Sequence, residues 1–349
     1  MQQQVAGSTD NVRALRVAER IHKNRRIMKR DRRITKEELK LAVREAYIKF
    51  KDCNEGCNAD YIPYLANIDS KLFGIAVCLP DGETITVGDC DYMFGIESIS
   101  KVATALLVLK DYGSETLLDM IGADATGMPF NSVLAILLEN EHPSTPLVNA
   151  GAISAASMVR PVGNSRGKWE AIKQNIEKLC GSEVTLIDEL YRSESVSNHN
   201  NRAIAWLLKS YNRIYDEPDM SLDLYTRQCS LGVTATQLSI MAATIACGGY
   251  NPTTNENIFD KAFTSRITSL MATVGFYEHT GNWMFSCGLP AKSGVGGGIM
   301  GVLPGAFGIA AFSPPIDVAG NSVRAQKALQ YIMQQLNLHI FNGERVLMV

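Results

Sequence analysis

The run from Trp283 to Pro315, WMFSCGLPAKSGVGGGIMGVLPGAFGIAAFSPP, is almost wholly apolar yet is punctuated by glycine or proline every few residues. So many breakers disfavour a helix, whereas short buried antiparallel strands joined by tight turns accommodate them. A second strand region lies far upstream, where LFGIAVCLP, the pair Asp81-Gly82 and ETITVGDC alternate with period two and read as a β-hairpin. Between them, from SISKVATALLVLK to ATIACGG at Gly249, the pattern is helical and broken by Gly, Pro and Asn-rich loops. VRAQKALQYIMQQL closes the chain as a helix. This order predicts an α+β fold, with an antiparallel sheet built from both chain ends and a helical domain inserted between them.

With 349 residues, 46% hydrophobic and 20% charged, the chain has ample material for a buried core, and its net charge of -2 gives no global reason to bind nucleic acid or an anionic membrane. The local balance differs. Arg13 to Lys36 holds eleven Lys or Arg against Glu19 and Asp31, so this piece carries +9 and the remainder -11. Val17, Ile21 and Met28 recur through it at near-heptad spacing, consistent either with an amphipathic helix laid on the body or another subunit, or with a basic arm. Thr35 with Glu38 forms a capping box, and LKLAVREAYIKF continues it as a helix to about Lys51. The opening MQQQVAGSTD lacks the basic and apolar regions of an export signal, and no stretch offers about 18 uninterrupted apolar residues, so a cytoplasmic protein without a membrane span is expected. Eight scattered cysteines read as reduced thiols, and Cys53 with Cys57 lacks the further ligands of a zinc site, so no metal is expected.

Familiar motifs mostly fail. Gly296 to Gly301 matches G-x-G-x-x-G, but Pro304 stands where the phosphate-binding helix would run. The segment VGNSRGKW is one residue short of a P-loop and has Trp169 at the magnesium-binding position. There is no G-x-S-x-G elbow, and a Ser-His triad would require an unsupported meeting with one of five histidines. One nucleophile candidate survives. Ser98 and Lys101 lie three apart at a helix start, on one face, and the apolar run VATALLVL after them favours a desolvated amine. Lys292-Ser293-Gly294 supplies the second piece, because enzymes with Ser-x-x-Lys place such a strand beside the nucleophile and use its N–H groups as oxyanion donors. For Lys101 to accept a proton near neutrality its pKa must fall by about 3 units, and burial beside a cationic Lys292 would push it that way.

Beyond these motifs, YIPYLA from Tyr61, SISK, LVNAGAI, SESVSNHNNRAIAW, YTRQCS, GFYEHTGNW, LPAKSGVGGGI and SPPIDVAGNSV occur in order from Tyr61 to Val323. With them the chain resembles the serine-dependent glutaminases, whose fold is similar to that of β-lactamases and penicillin-binding proteins. The resemblance implies hydrolysis of L-glutamine to L-glutamate and ammonia without a cofactor. It assigns Ser98 as nucleophile, Lys101 as proton acceptor and Tyr225 as partner in proton transfer, with the N–H groups of Ser98 and Val295 holding the oxyanion. Glu194 would take the substrate α-ammonium, and Asn149, Asn201, Tyr61 and Tyr277 would surround the α-carboxylate, with Glu97 and Lys292 completing the binding set. Read from residue type alone, Glu194 is a solvated loop carboxylate, Asn201 a helix cap, the tyrosines half-buried core residues, and Gly294 with Gly296 to Gly298 a strip on which a helix packs. One departure stands out: the family commonly has Gln before the serine, and this chain has Glu97, whose ionised form cannot donate to an α-carboxylate and would repel it.

The expected organisation is a basic helical extension over 1–51 and a catalytic domain over 52–349, the latter divided into a sheet subdomain (52–96 and 260–349) and a helical subdomain (97–259). The resemblance further implies a homo-oligomer, dimer or tetramer. Two alternatives remain at this level: a related Ser-Lys amidohydrolase of another substrate, and an inactive scaffold or nucleic-acid-binding protein using the Arg13 to Lys36 arm.

Overall fold

The computed structural model describes residues 31–349. Residues 13–30 of the basic segment, with Val17, Ile21 and Met28, lie outside the described residues. In chain order, β1 (Asp31–Ile34) leads into α1 (Lys36–Phe50), which starts at the expected capping box: Thr35 accepts from the Glu38 N–H, and the Glu38 carboxylate accepts from the Thr35 N–H. The expected hairpin follows as β2 (Gly74–Cys78) and β3 (Thr84–Gly88), and β4 (Phe94–Gly95) leads to the helical block. That block contains α2 (Ser100–Met120), α3 (Asn149–Met158), α4 (Ser165–Cys180), β5 (Thr185–Leu186), α5 (Asp188–Ser197), α6 (His199–Ser210), α7 (Pro218–Cys229), β6 (Leu231–Val233) and α8 (Ala235–Ala246). The chain then returns through α9 (Ala262–Val274), α10 (Thr280–Cys287), β7 (Ala291–Ser293), β8 (Gly298–Leu303), β9 (Phe307–Phe312), α11 (Val323–Gln335) and β10 (Arg345–Met348).

The principal sheet is antiparallel in the order β3-β2-β9-β8-β7, so strands from the two chain ends meet where β2 pairs with β9. Both its faces are covered, and the period-two alternation sorts side chains between two cores. Ala76, Met300, Val302, Ala310 and Phe312 join the core shared with the helical block. Ile75, Val77, Ile299, Ile309 and Ala311 join the opposite core, closed by α1 and α11. A one-residue slip in register would exchange the two sets. On the outer side β1 pairs in parallel with β10, and α1 packs against α11. A small second sheet, β4-β6-β5, ties the entry and exit of the helical block together. No helix among the described residues is long and apolar enough to cross a membrane.

Two local expectations need correction. WMFSC is helical, as part of α10, because Trp283, Met284 and Cys287 bury at helical spacing; the strands begin only after Gly288. Nor do the glycines at 294–298 receive a helix. A Cβ on Gly296 would sit 2.7 Å from the Gly95 carbonyl oxygen, and one on Gly294 3.0 Å from that of Ile96. Gly294 and Gly296 thus admit the Gly95–Ile96 backbone at the end of β4, while Gly297 admits the Ser313 carbonyl. The close helix–strand contact is instead at Gly308, where a Cβ would stand 2.0 Å from the Ala243 nitrogen in α8. Gly308→Val should therefore destabilise the protein by about 3 kcal/mol or more, while Gly281→Ala, where an added Cβ meets nothing within 4 Å, should be neutral or mildly stabilising. Thermal unfolding of both variants tests this; equal midpoints would mean that α8 can move away from the sheet.

Candidate active site

Ser98 sits in a single 3-10 turn, Glu97–Ile99, between β4 and α2. The turn is anchored by the Ile96 N–H, which donates to the Leu231 carbonyl of β6 at 2.8 Å. Glu97 has φ +51°, the left-handed region that non-glycine residues seldom occupy, so the residue before Ser98 is held in a strained conformation. The strain is maintained by the helix that follows. Every residue of α2 from Ser100 to Leu109 is buried, as an all-round apolar sequence requires, and Lys101 is carried inside with it at 1% exposure.

The buried amine is met from three other helices. Lys101 Nζ donates to Asn149 Oδ1 at 2.6 Å, and the Tyr225 hydroxyl donates to the same oxygen at 3.0 Å. Asn149 Nδ2 in turn donates to Asn201 Oδ1 at 2.8 Å, which fixes the orientation of the Asn149 amide. Asn149 thus joins α2, α3, α6 and α7 through one side chain. Its helix is buried along its whole length and rich in Ala, Gly and Ser, which lets neighbouring backbones approach it. Desolvation pushes the Lys101 ammonium down to about 8, against smaller opposing effects of Cys229, Glu97 and Glu194. Burial likewise holds the Tyr225 phenol well above its ordinary value, so it keeps its proton.

Beside this network lies a cavity of about 380 Å³ whose wall includes Ser98, Glu97, Glu194, Asn149, Asn201 and Tyr225. Tyr61 and Val295 contribute to the same wall. Among the described residues, the N–H groups of Ser98 and Val295 have no intramolecular acceptor. Both stand at the cavity, as a pair of oxyanion donors must. The Glu194 Oε1 atom is buried rather than solvated. Asn201 is not the cap of its helix; Asn198 holds that position. Tyr61 exposes about half of its surface (55%), and burial of its phenol, followed by the charges of Glu97 and Glu194, pushes it well up, so it keeps its proton.

Two sequence-predicted residues lie elsewhere than expected. Tyr277, also at positive φ (+52°), is buried behind the cavity next to Ser98 and donates from its hydroxyl to the Ser293 carbonyl at 3.2 Å. Lys292 does not reach the cavity wall. Its Nζ donates to the carbonyls of Gly275 (3.1 Å) and Ser293 (2.7 Å) and lies 4.2 Å from the centre of the Tyr277 ring. Burial, followed by the proximity of Lys101, holds Lys292 itself well below the usual lysine range. The expectation that a cationic Lys292 depresses Lys101 therefore gives way to desolvation as the main cause, and Lys292 is a strut between β7 and the Tyr277 turn. Sequence reasoning also missed Phe130, which packs 4.6 Å from the Tyr277 ring, and the Asp317–Gly320 loop at the cavity rim. The signal for that loop was SPPIDVAGNSV, where Asp317 Oδ1 accepts from the N–H groups of Ala319 and Asn321 and closes the turn.

Comparison with known proteins gives a consistent result. The family model described as Glutaminase matches residues 56–341. A glutaminase of Bacteroides fragilis is 65% identical over 319 residues, covering 91% of this chain and 99% of the relative. One from Escherichia coli is 45% identical over 305 residues, covering 87% of this chain and 98% of the relative. Among solved structures, a probable glutaminase superposes with a TM-score of 0.87 at 45% identity, covering 89% of this chain and all of the other. A probable glutaminase of Bacillus subtilis gives 0.78 at 30% identity, covering 87% and 96%.

The geometry makes Asn149 the residue that keeps Lys101 and Tyr225 on one oxygen. Asn149→Asp would place an anion there, which favours the ammonium, and should move the Lys101 titration upward by about 1 to 3 pH units. Lysine Cε chemical shifts followed across pH measure it, and an unmoved midpoint would separate Asn149 from the amine.

Proposed function

The chain belongs to the glutaminase family, with the serine β-lactamase-like α+β fold, and from that premise we propose how it hydrolyses glutamine. Ser98 Oγ attacks the side-chain amide carbon while Lys101, as the neutral amine, takes the hydroxyl proton. The tetrahedral oxyanion is held by the N–H groups of Ser98 and Val295. The Tyr225 hydroxyl protonates the departing ammonia and recovers a proton from the Lys101 ammonium, the two groups being neighbours on Asn149 Oδ1. Water then cleaves the γ-glutamyl ester to glutamate by the reverse proton path, with Lys101 as base. The observation that carries this reading is the convergence of Lys101 and Tyr225 on one buried oxygen beside a cavity of about 380 Å³ that contains Ser98.

Substrate orientation follows from charge. Glu194 receives the α-ammonium; the Asn201 amide nitrogen and the Tyr61 hydroxyl donate to the α-carboxylate. Tyr277 and Lys292 act one layer behind, holding the Ser293 carbonyl and hence the strand that leads to Val295. We take residues 52–349 as the catalytic unit and propose a cytoplasmic homo-oligomer, dimer or tetramer. The eight free thiols support a reducing compartment, and the family resemblance supports the oligomer. Eight thiols should titrate in the denatured, unreduced protein, and sedimentation velocity should give a species larger than one chain; a monomer at all micromolar concentrations would remove the oligomer.

Ser98→Ala should reduce ammonia release from L-glutamine by about 10⁴-fold or more. In the wild type kcat/KM should rise through pH 8, because Lys101 must be unprotonated to act and its ammonium is lowered to about 8. Ammonia release assayed from pH 6 to 9 tests both; activity surviving in Ser98→Ala would discard the nucleophile.

A further inference from the structure

Glu97 and Glu194 come from segments almost a hundred residues apart, yet their carboxyl groups lie within hydrogen-bonding reach of each other on the cavity wall. Each leaves an oxygen, Oε1, buried without a partner among the described residues. Two ionised carboxylates cannot satisfy one another, since both are acceptors only, and two unscreened negative charges at that distance repel strongly. A single proton between them removes both problems, as in other carboxyl pairs that share a site. The arrangement has a further consequence for a zwitterionic ligand. One remaining negative charge matches one α-ammonium, while the protonated partner keeps an O–H that can donate.

We propose that Glu97 is a carboxylic acid in the working enzyme, sharing its proton with ionised Glu194, and that this proton sets an upper pH limit on binding of the substrate's amino-acid head. Which of the two carries the proton follows from their surroundings. Glu97 is 4% exposed and is pushed well up, first by burial and then by the charge of Glu194. Glu194 is also raised by burial, but the hydrogen bond from Glu97 and the charge of Lys101 favour its anion. The remaining titratable groups that feel Glu97 are Tyr61 on the facing loop, Lys101 on α2, Tyr225 and Cys229 on α7, and Tyr277 on the turn behind. The phenols and the thiol are all raised and stay neutral, so Lys101 is the only one of these that changes charge in the same pH range. Lys292, on the neighbouring strand β7, donates to two carbonyls and is itself held well below the usual lysine range by burial; it is unchanged in E97Q, so its titration enters both proteins alike. Loss of the shared proton would put a second anion beside the α-carboxylate and remove a donor to it; it would also favour the ammonium form of Lys101. Glu97 therefore acts on affinity directly and on the base through charge.

This inference rests on the reading of the cavity as the glutamine site, and the test separates the two. First, infrared difference spectra of the wild type, titrated without substrate from pH 6 to 10 in H2O and D2O, should contain a protonated-carboxyl C=O band that shifts in D2O, fades at high pH and is absent from E97Q. This arm holds whatever the substrate is and needs no variant to see the titration itself. Second, KM for L-glutamine should rise at high pH by about tenfold per pH unit in the wild type and stay flat relative to it in E97Q. Ionisation of the substrate's own ammonium and of Lys101 affects both proteins, so the difference isolates Glu97. Absence of the band at pH 7, or KM profiles that run parallel, would overturn the proposal; failure of Ser98→Ala to abolish activity would overturn the site reading instead.

Discussion

An amine kept out of water is the constraint around which the rest of this structure is arranged. A lysine in solution holds its proton far too tightly to act as a base near neutrality; moving its pKa to about 8 costs about 3 kcal/mol of solvation. The protein meets that cost through packing. The first ten residues of α2 have no solvent face, and α3 beneath it has none at all. A charge there is disfavoured, while an uncharged amine with one good acceptor is tolerated. Asn149 Oδ1 is that acceptor. An Asp in its place would stabilise the ammonium and cancel what burial achieves, so the neutral amide is the physically required choice.

The same logic explains why the glycines after β7 matter. In the proposed reaction the Ser98 turn must lie against the segment that carries Val295, and any side chain at Gly294 or Gly296 would press on the Ile96 or Gly95 carbonyl. Sheet and helical block therefore meet through backbone beside the proposed oxyanion donors, with Lys292 and Tyr277 bracing the strand from behind. A cationic Lys292 facing the amine would have been a simpler electrostatic device. The structure uses its side-chain nitrogen as a hydrogen-bond donor to two carbonyls, which leaves the depression of Lys101 to desolvation.

Much of this was legible in local pattern. The capping box at Thr35, the Asp81-Gly82 hairpin, the closing helix and the Ser98/Lys101 spacing all depend on residues within a few positions of one another. What local pattern misses is of two kinds. WMFSC lies in a glycine-rich apolar region whose local pattern is that of the strands after it, although Trp283 and Cys287 bury at a helical interval. Long-range meetings are invisible to spacing: Lys101 finds Asn149 across 48 residues and Asn149 finds Tyr225 across 76. The family resemblance named these residues but not their order of contact: Asn149, expected around the substrate head, is the link between Lys101 and Tyr225 in one hydrogen-bond network.

Strain enters at two places, and both touch Ser98. Glu97 and Tyr277 occupy left-handed backbone conformations without being glycine, one immediately before Ser98 and one beside it. Such conformations cost on the order of 1–3 kcal/mol each and persist only where the surroundings over-determine them. At Glu97 the surroundings are the β4–β6 pairing on one side and the buried start of α2 on the other. The left-handed bend lets successive residues face different ways: Glu97 and Ser98 both reach the cavity wall, and Lys101 follows one helical turn later from inside. A relaxed helical residue at 97 would extend α2 backward and carry its side chain elsewhere on the helix surface. The bend is thus what allows one short segment to supply both the proposed nucleophile and part of the proposed subsite for the substrate head.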